Sequence, residues 1–346
     1  LYSRNITKAR SRREAMGWWK KIWTDQAEDW IFDYLSASQV PDKLARVAVA
    51  SNSGYLSVFL RSFRVVNVRK GISKFYGTVH SFIAVPHISG KPAKFHVLTT
   101  PSSLSEIDAE NIDRIINMNH RLLGPIPYRG GDVEIEVGLF SVESANLVKS
   151  FLTVLEGMSQ AAGVSYINAA LPFVGPILQG VDLLTGAGGA SILEIGLARP
   201  FAMIETGTMI VIRAPKGSIN ISDYQLDEDF KLIAKDGQSL KDYPYIVVAI
   251  EAQPDRPDWF NIPELAAAYA ELMDEVRKGK YQPTMEALAV FKRVAITCPD
   301  LFTKHAVNLA KEVEEQVNGA LGYVPTAVAK TTLKPLKEFD PFNNQG

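Results

Sequence analysis

The chain has 346 residues, which is long enough for a large hydrophobic core divided between more than one structural unit. Hydrophobic residues make up 47% of it and charged residues 22%, proportions that are ordinary for a globular protein in water. The formal net charge of −1 lacks the basic excess that is typical of general nucleic-acid binders, so we expect no nucleic-acid partner.

Cysteine usage indicates the compartment. Cys298 is the single cysteine and cannot form an intramolecular disulfide, which fits a reducing compartment. The first apolar run, residues 18–23, contains Lys20 and Lys21 and is therefore atypical of a signal peptide. We expect a protein of the cytoplasm or of a soluble assembly, with peripheral membrane association as the alternative.

Aromatic and apolar residues recur at steps of three and four over residues 1–36, which predicts an amphipathic N-terminal helix rich in tryptophan. The stripe consists of Met16, Trp19, Trp23, Ala27, Trp30 and Tyr34. Basic residues precede acidic ones along this segment, an order that opposes the helix dipole. The stripe packs either on the protein's own core or on a partner, which would be another protein or a membrane surface.

Short runs rich in β-branched and aromatic residues, separated by turn signals, predict strands within residues 37–254. Eight such runs span 54–68, 74–85, 93–99, 132–139, 191–197, 208–213, 230–234 and 245–251. The segment 105–123 is instead predicted to form one helix that ends at Gly124-Pro125. Many strands with few intervening helices favour an antiparallel β-sandwich in an α+β protein over a doubly wound sheet.

The clearest strand signal is at 132–139, where apolar residues alternate with Asp132, Glu134 and Glu136. One face of this strand should therefore be buried and the other wet. Like charges on one face shift each other's pKa values, which is one arrangement found at functional sites. The plainer interpretation is that the three carboxylates keep an exposed face in solution.

An unusually apolar segment interrupts the strands, and we expect it to form a helical hairpin at about 142–186. Residues 157–181 contain no charge, and only Asp182 interrupts the segment up to 193. The hairpin is either buried in the protein or at an oligomer interface, or inserted into a membrane, or the wall of a ligand cavity. Its candidate partner-binding residues are Phe173, Val174 and Ile177.

The C-terminal part, residues 255–322, is predicted to form three amphipathic helices that are joined by short linkers. Residues 261–264 resemble a capping box before the first helix, and Gly279 is expected to end that helix. Residues 323–346 contain few residues that could pack in a core, so we expect an extended tail.

Motifs for catalysis are not found in the sequence, which has no P-loop, no GxSxG, no HExxH and no glycine-rich loop between a strand and a helix. We therefore assign no catalytic, cofactor-binding or metal-binding residue. His80 and His96 lie on neighbouring predicted strands without an obvious third ligand. One acidic loop would either attract calcium or, as the plainer interpretation, be a solvated charge cluster. It contains Asp223, Asp227, Glu228 and Asp229.

These patterns favour a non-enzymatic binding or assembly subunit that contacts a protein partner, or itself as a homo-oligomer. The contacts are assigned to the N-terminal helix, the apolar hairpin and the C-terminal tail. The partner-binding residues are Trp19, Trp23, Trp30, Phe173, Val174 and Ile177. One alternative is a membrane-active effector of the pore-forming type that inserts residues 157–193, and another is a hydrolase of unrecognised type.

Overall fold

The computed structural model describes residues 30–66, 69–70, 73–86, 92–99, 115–143 and 191–322. In these ranges the protein is α+β, with antiparallel sheets followed by three helices. The chain divides between Arg256 and Pro257 into two compact units. The predicted helix over residues 1–29, most of the helical hairpin (144–186) and the tail (323–346) lie outside the described residues.

The strands of the described ranges all belong to the first unit. They are β1 (Trp30–Leu35), β2 (Tyr55–Arg64), β3 (Arg69–Lys70), β4 (Ser73–Val85), β5 (Ala93–Thr99), β6 (Ile115–Pro127), β7 (Val133–Glu143), β8 (Ser191–Phe201), β9 (Gly207–Arg213), β10 (Tyr224–Leu226), β11 (Leu232–Ala234) and β12 (Tyr245–Gln253). Each of the eight predicted runs coincides with one of these strands, because β-branched and aromatic residues favour extended backbone.

Two five-stranded antiparallel sheets contain most of the strands. The first sheet has the order β1-β9-β12-β2-β6, and the second has the order β3-β4-β7-β8 with β5 also paired to β4. One apolar cluster contains residues of both sheets, such as Val58 and Ile250 of the first and Ile83 and Ile135 of the second. Burial of these side chains is the main favourable term in folding.

The first sheet is also covered on its other face, by the hairpin of β10 and β11. Ile210 and Ile212 of β9 and Val247 of β12 pack in a second cluster with Leu226 and Leu232 of this hairpin. Strands buried on both faces consist of nearly unbroken apolar runs, and the sequences of β9 and β12 follow that rule. The hairpin therefore lies over the inner strands of the first sheet.

Two predicted helices are corrected. Residues 115–123, predicted to be helical, belong to β6, which pairs with β2 and buries Leu122 and Leu123. Trp30–Leu35, predicted as the end of the N-terminal helix, forms β1 and pairs with β9. In both segments the apolar spacing also fits a strand, and cross-strand pairing outweighs the local helical pattern.

The second unit contains the three helices α1 (Pro263–Lys278), α2 (Tyr281–Thr297) and α3 (Thr303–Gly322). Leu272 of α1, Phe291 of α2 and Val313 of α3 are among the side chains buried within this unit. Gly279 ends α1 with a left-handed φ of 68°, as predicted. The predicted capping box is wrong, since no side chain caps α1, which starts at Pro263. Among the described residues, no helix combines the length and the apolar character needed to cross a membrane.

Candidate functional site

The candidate site is centred on Arg61, a buried arginine in the middle of β2. Between Leu60 and Ser62 the pairing of β2 with β12 shifts register, and Arg61 is the extra residue. Such a bulge redirects a side chain that would otherwise alternate with its neighbours. Arg61 is only 7% exposed, which is rare for a charged residue without partners.

The partners of Arg61 come from five parts of the first unit. Its guanidinium is close to two aromatic rings, 4.8 Å from the centroid of Phe59 and 4.8 Å from that of Phe230. Nη1 donates a hydrogen bond to Oδ1 of Asn119. Nη2 donates to Oδ2 of Asp42 at 3.3 Å and to Oε1 of Glu251. The arginine therefore binds two carboxylates and also contacts two aromatic rings.

A second arginine extends this arrangement toward the edge of the first sheet. Arg121 lies on the edge strand β6 opposite Phe59, and its guanidinium is 5.4 Å from the centroid of that ring. Phe230, Arg61, Phe59 and Arg121 thus form one row of alternating rings and guanidinium groups. We call these four residues, together with Asp42, Asn119 and Glu251, the Arg61 cluster. Asp42 and Glu251 keep 31% and 38% of their side chains exposed, so the cluster is open to solvent.

Two residues of the Arg61 cluster have an unusual backbone conformation. Asn119 has a φ of 37° and Phe230 a φ of 57°, values that non-glycine residues rarely adopt and that cost roughly 1–3 kcal/mol each. The Oγ of Ser62 donates to the carbonyl of Phe230 at 2.6 Å and holds that residue over β2. Asp227 fixes the same turn, because its Oδ1 accepts from the backbone N–H groups of Asp229 and Lys231. Strain of this kind is more frequent at functional sites than elsewhere.

The side chains of the Arg61 cluster are arginine, aromatic, carboxylate and amide groups. Guanidinium groups stacked on aromatic rings present planar donors at low entropic cost, and arginine and aromatic residues carry most of the energy of protein interfaces. The cluster contains no cysteine, serine or histidine, and its two carboxylates, Asp42 and Glu251, are both paired with Arg61. Within the described part of the chain, no group of three or more potential ligands is arranged to hold a metal ion.

Comparisons with protein-family models, with curated proteins and with solved structures find no match.

Of the six predicted partner-binding residues, the structure describes only Trp30. It is the first residue of β1, where its Cα pairs with that of Arg213 on β9. Trp19, Trp23, Phe173, Val174 and Ile177 lie outside the described residues.

Sequence reasoning missed the Arg61 cluster, although one signal of it was present. Arg61 interrupts an otherwise apolar strand, YLSVFLRSFR, and a charge within a run that is buried on both faces usually marks a paired or functional group. The histidines predicted on neighbouring strands are not direct partners, because His80 pairs with Leu98 and His96 with Phe82.

Of the carboxylates predicted on the wet face of 132–139, Asp132 and Glu134 are exposed, as expected. Glu134 and Glu136 lie on β7, which is paired on both sides, with β4 and β8. The alternation itself is confirmed, since Val133, Ile135, Val137 and Leu139 are buried. Glu136 is half-buried, and burial together with the neighbouring charge of Glu134 raises its pKa to about 7.

We expect Glu136→Gln to stabilise the protein above neutral pH and to have little effect in acid. Because the pKa of Glu136 is higher in the folded chain, deprotonation destabilises the fold, and wild type should lose stability as pH rises from about 4.5 through about 7. At pH 8 the substitution should raise the free energy of unfolding by about 2 kcal/mol. This is less than the pKa shift alone would give, because water screens the charge of the half-buried carboxyl. Urea unfolding at pH 4.5 and pH 8 measures it. The exposed neighbour provides the matched control, Glu134→Gln, and an equal gain from both variants would contradict the assignment.

Proposed function

We propose that this protein is a non-enzymatic binding or assembly subunit. The observation that carries the proposal is the Arg61 cluster, a pre-organised set of stacked arginine and aromatic side chains that is open to solvent and whose two carboxylates, Asp42 and Glu251, are both paired with Arg61. On sequence grounds the proposal also includes contacts by residues 1–36, by the segment 142–186 and by the tail 323–346. The partner is another protein or a second copy of the chain, in the cytoplasm or within a soluble assembly.

The energetics of the cluster support a role in binding. Holding Asn119 and Phe230 at positive φ costs stability, and the ion pairs of Arg61 stabilise the fold less than an apolar core would. Such a costly arrangement is useful where a rigid polar surface binds a partner, because a rigid surface loses less conformational entropy on binding. Arg61 fixes Phe59, and Phe59 in turn supports Arg121 at the edge of the sheet.

For the fold, we infer that the two sheets form a β-sandwich. Both sheets contribute to one apolar cluster, and the residues that face it alternate along β4 and β7. This arrangement would leave the opposite face of the first sheet for the β10–β11 hairpin and for the Arg61 cluster.

Removal of residues 1–29 tests the contribution of the tryptophan-rich segment to assembly. The deletion stops before β1, so the edge strand of the first sheet is retained. We expect the shortened chain to keep its circular dichroism spectrum and to show a lower oligomer mass than the full chain in light scattering at the same concentration. An unchanged mass would show that this segment is not a contact element.

The second candidate function is the membrane-active effector, which is favoured by the charge-free residues 157–181. Such a protein should release dye from anionic liposomes, and an aspartate at Val174 or Ile177 should prevent the release. The hydrolase of unrecognised type stays a prediction that no observation in the described residues favours.

A further inference from the structure

The Arg61 cluster has opposite charges at its two ends. Arg121 is exposed on the edge strand β6 and has no carboxylate partner among the residues that the structure describes. The two carboxylates of the cluster are both bound by Arg61. The guanidinium of Arg121 is therefore supported on one side by Phe59 and is free to bind an acid presented from outside.

The other end of the row is an acidic turn. Phe230 is preceded by Asp227, Glu228 and Asp229, and the carbonyl of Phe230 accepts from Ser62 of β2. Glu228 is exposed and has no cationic partner in the described ranges, whereas Asp229 lies 3.4 Å from Lys231. The hydrogen bonds to Asp227 and from Ser62 fix this turn, so the acidic side chains project from a rigid base.

We propose that this face is a two-fold interface between two copies of the chain, in which Arg121 of each copy binds the acidic turn around Glu228 of the other. A two-fold interface brings the same surface of both copies together, so a patch with a basic end and an acidic end is complementary to itself. Phe59 and Phe230 are partly exposed in the same cluster and add apolar contact area beside the paired charges of Arg61, Asp42 and Glu251. This inference rests on the proposed assembly function and names the partner as the chain itself.

Charge reversal on the full chain tests the interface. Arg121→Glu alone and Glu228→Arg alone each place like charges together, and each should raise the dimer dissociation constant by about tenfold or more. The double variant, which carries both substitutions, restores opposite charges and should recover the dimer. An equimolar mixture of the two single variants should also dimerise, since both contacts of the mixed dimer then join opposite charges: Glu at position 121 of one copy meets Arg at position 228 of the other, and Arg at position 121 of the other meets Glu228 of the first. The readout is the concentration-dependent mass in light scattering.

Arg199→Glu is the matched control, because Arg199 is also exposed and also stacks on an aromatic ring, 5.0 Å from the centroid of Phe32. This variant should leave the dimer unchanged. Circular dichroism checks that every variant is folded, which we expect because both substituted positions are exposed. Higher salt should weaken the wild-type dimer more than the dimer of a variant with Arg121→Gln.

The outcomes separate this inference from the proposed function. A wild-type oligomer that Arg121→Glu does not weaken would overturn the interface while assembly itself stands. A wild-type chain that is monomeric at every concentration would overturn the interface and self-assembly together. A double variant that stays monomeric, or an equal effect of Arg199→Glu, would also overturn the pairing of Arg121 with the acidic turn.

Discussion

Arg61→Ala is expected to lower the free energy of unfolding by about 3 kcal/mol. The substitution removes the ion pairs with Asp42 and Glu251 and the packing between the rings of Phe59 and Phe230. Loss of one partner of a buried pair costs roughly 3–5 kcal/mol, and the lower end applies because both carboxylates are partly exposed and gain water. Urea unfolding followed by circular dichroism measures the effect.

Two variants separate the causes of that loss. Arg61→Lys keeps the positive charge but removes the planar guanidinium, which stacks on the rings and donates to two carboxylates at once. We therefore expect this variant to lose about half as much free energy of unfolding as Arg61→Ala. Arg199→Ala removes an exposed stacked arginine and should change the free energy of unfolding by less than about 0.5 kcal/mol. An Arg61→Ala chain as stable as wild type would contradict the role of Arg61 as the residue that holds the cluster together.

Gly124→Ala is expected to destabilise the protein by about 4 kcal/mol or to prevent folding. Gly124 has a φ of 90°, and a Cβ atom there would lie 2.0 Å from the carbonyl oxygen of Leu56 and 2.9 Å from the Cα of Ser57. Both neighbours are backbone atoms of β2, so they cannot move without disturbing the pairing of β2 with β6. Because β6 also carries Arg121, the substitution should disturb the candidate site as well.

Gly217→Ala is the matched control for this substitution. Gly217 has a similar φ of 80°, but a Cβ atom at that position would meet nothing within 4 Å. Gly217→Ala should therefore lower the free energy of unfolding only by the cost of holding alanine at a positive φ, about 1 kcal/mol. Thermal unfolding of both variants compares the two positions, and equal losses would show that the close approach of β6 to β2 does not set the requirement for glycine.

The strands could be predicted from the sequence because their composition decides their conformation. The runs that became β9 and β12 are rich in isoleucine and valine, and no helical period competes with them. The segment that became β6 was different, since its isoleucine and leucine residues fit a helix and a strand equally well. The segment is a strand because it pairs with β2, which lies about sixty positions earlier in the chain. A local sequence pattern does not show which distant segment a strand will pair with.

The candidate site could not be predicted for the same reason. Arg61 is local to β2, but its partners Asn119, Phe230 and Glu251 are separated from it by 58 to 190 positions in the sequence. The bulge that redirects Arg61 depends on the register between β2 and β12. From the sequence, Arg61 is only a lone charge in an apolar strand. The acidic turn is interpreted as a solvated cluster because the sequence does not show that it lies beside Arg61.

The molar mass of the wild-type chain tests the proposed assembly function most directly. Light scattering over a concentration series, with and without anionic liposomes, gives the oligomeric state and its response to lipid in one experiment. The account predicts an oligomer whose mass does not depend on lipid. A chain that is monomeric at every concentration and moves onto the liposomes would contradict it and would favour the membrane-active alternative.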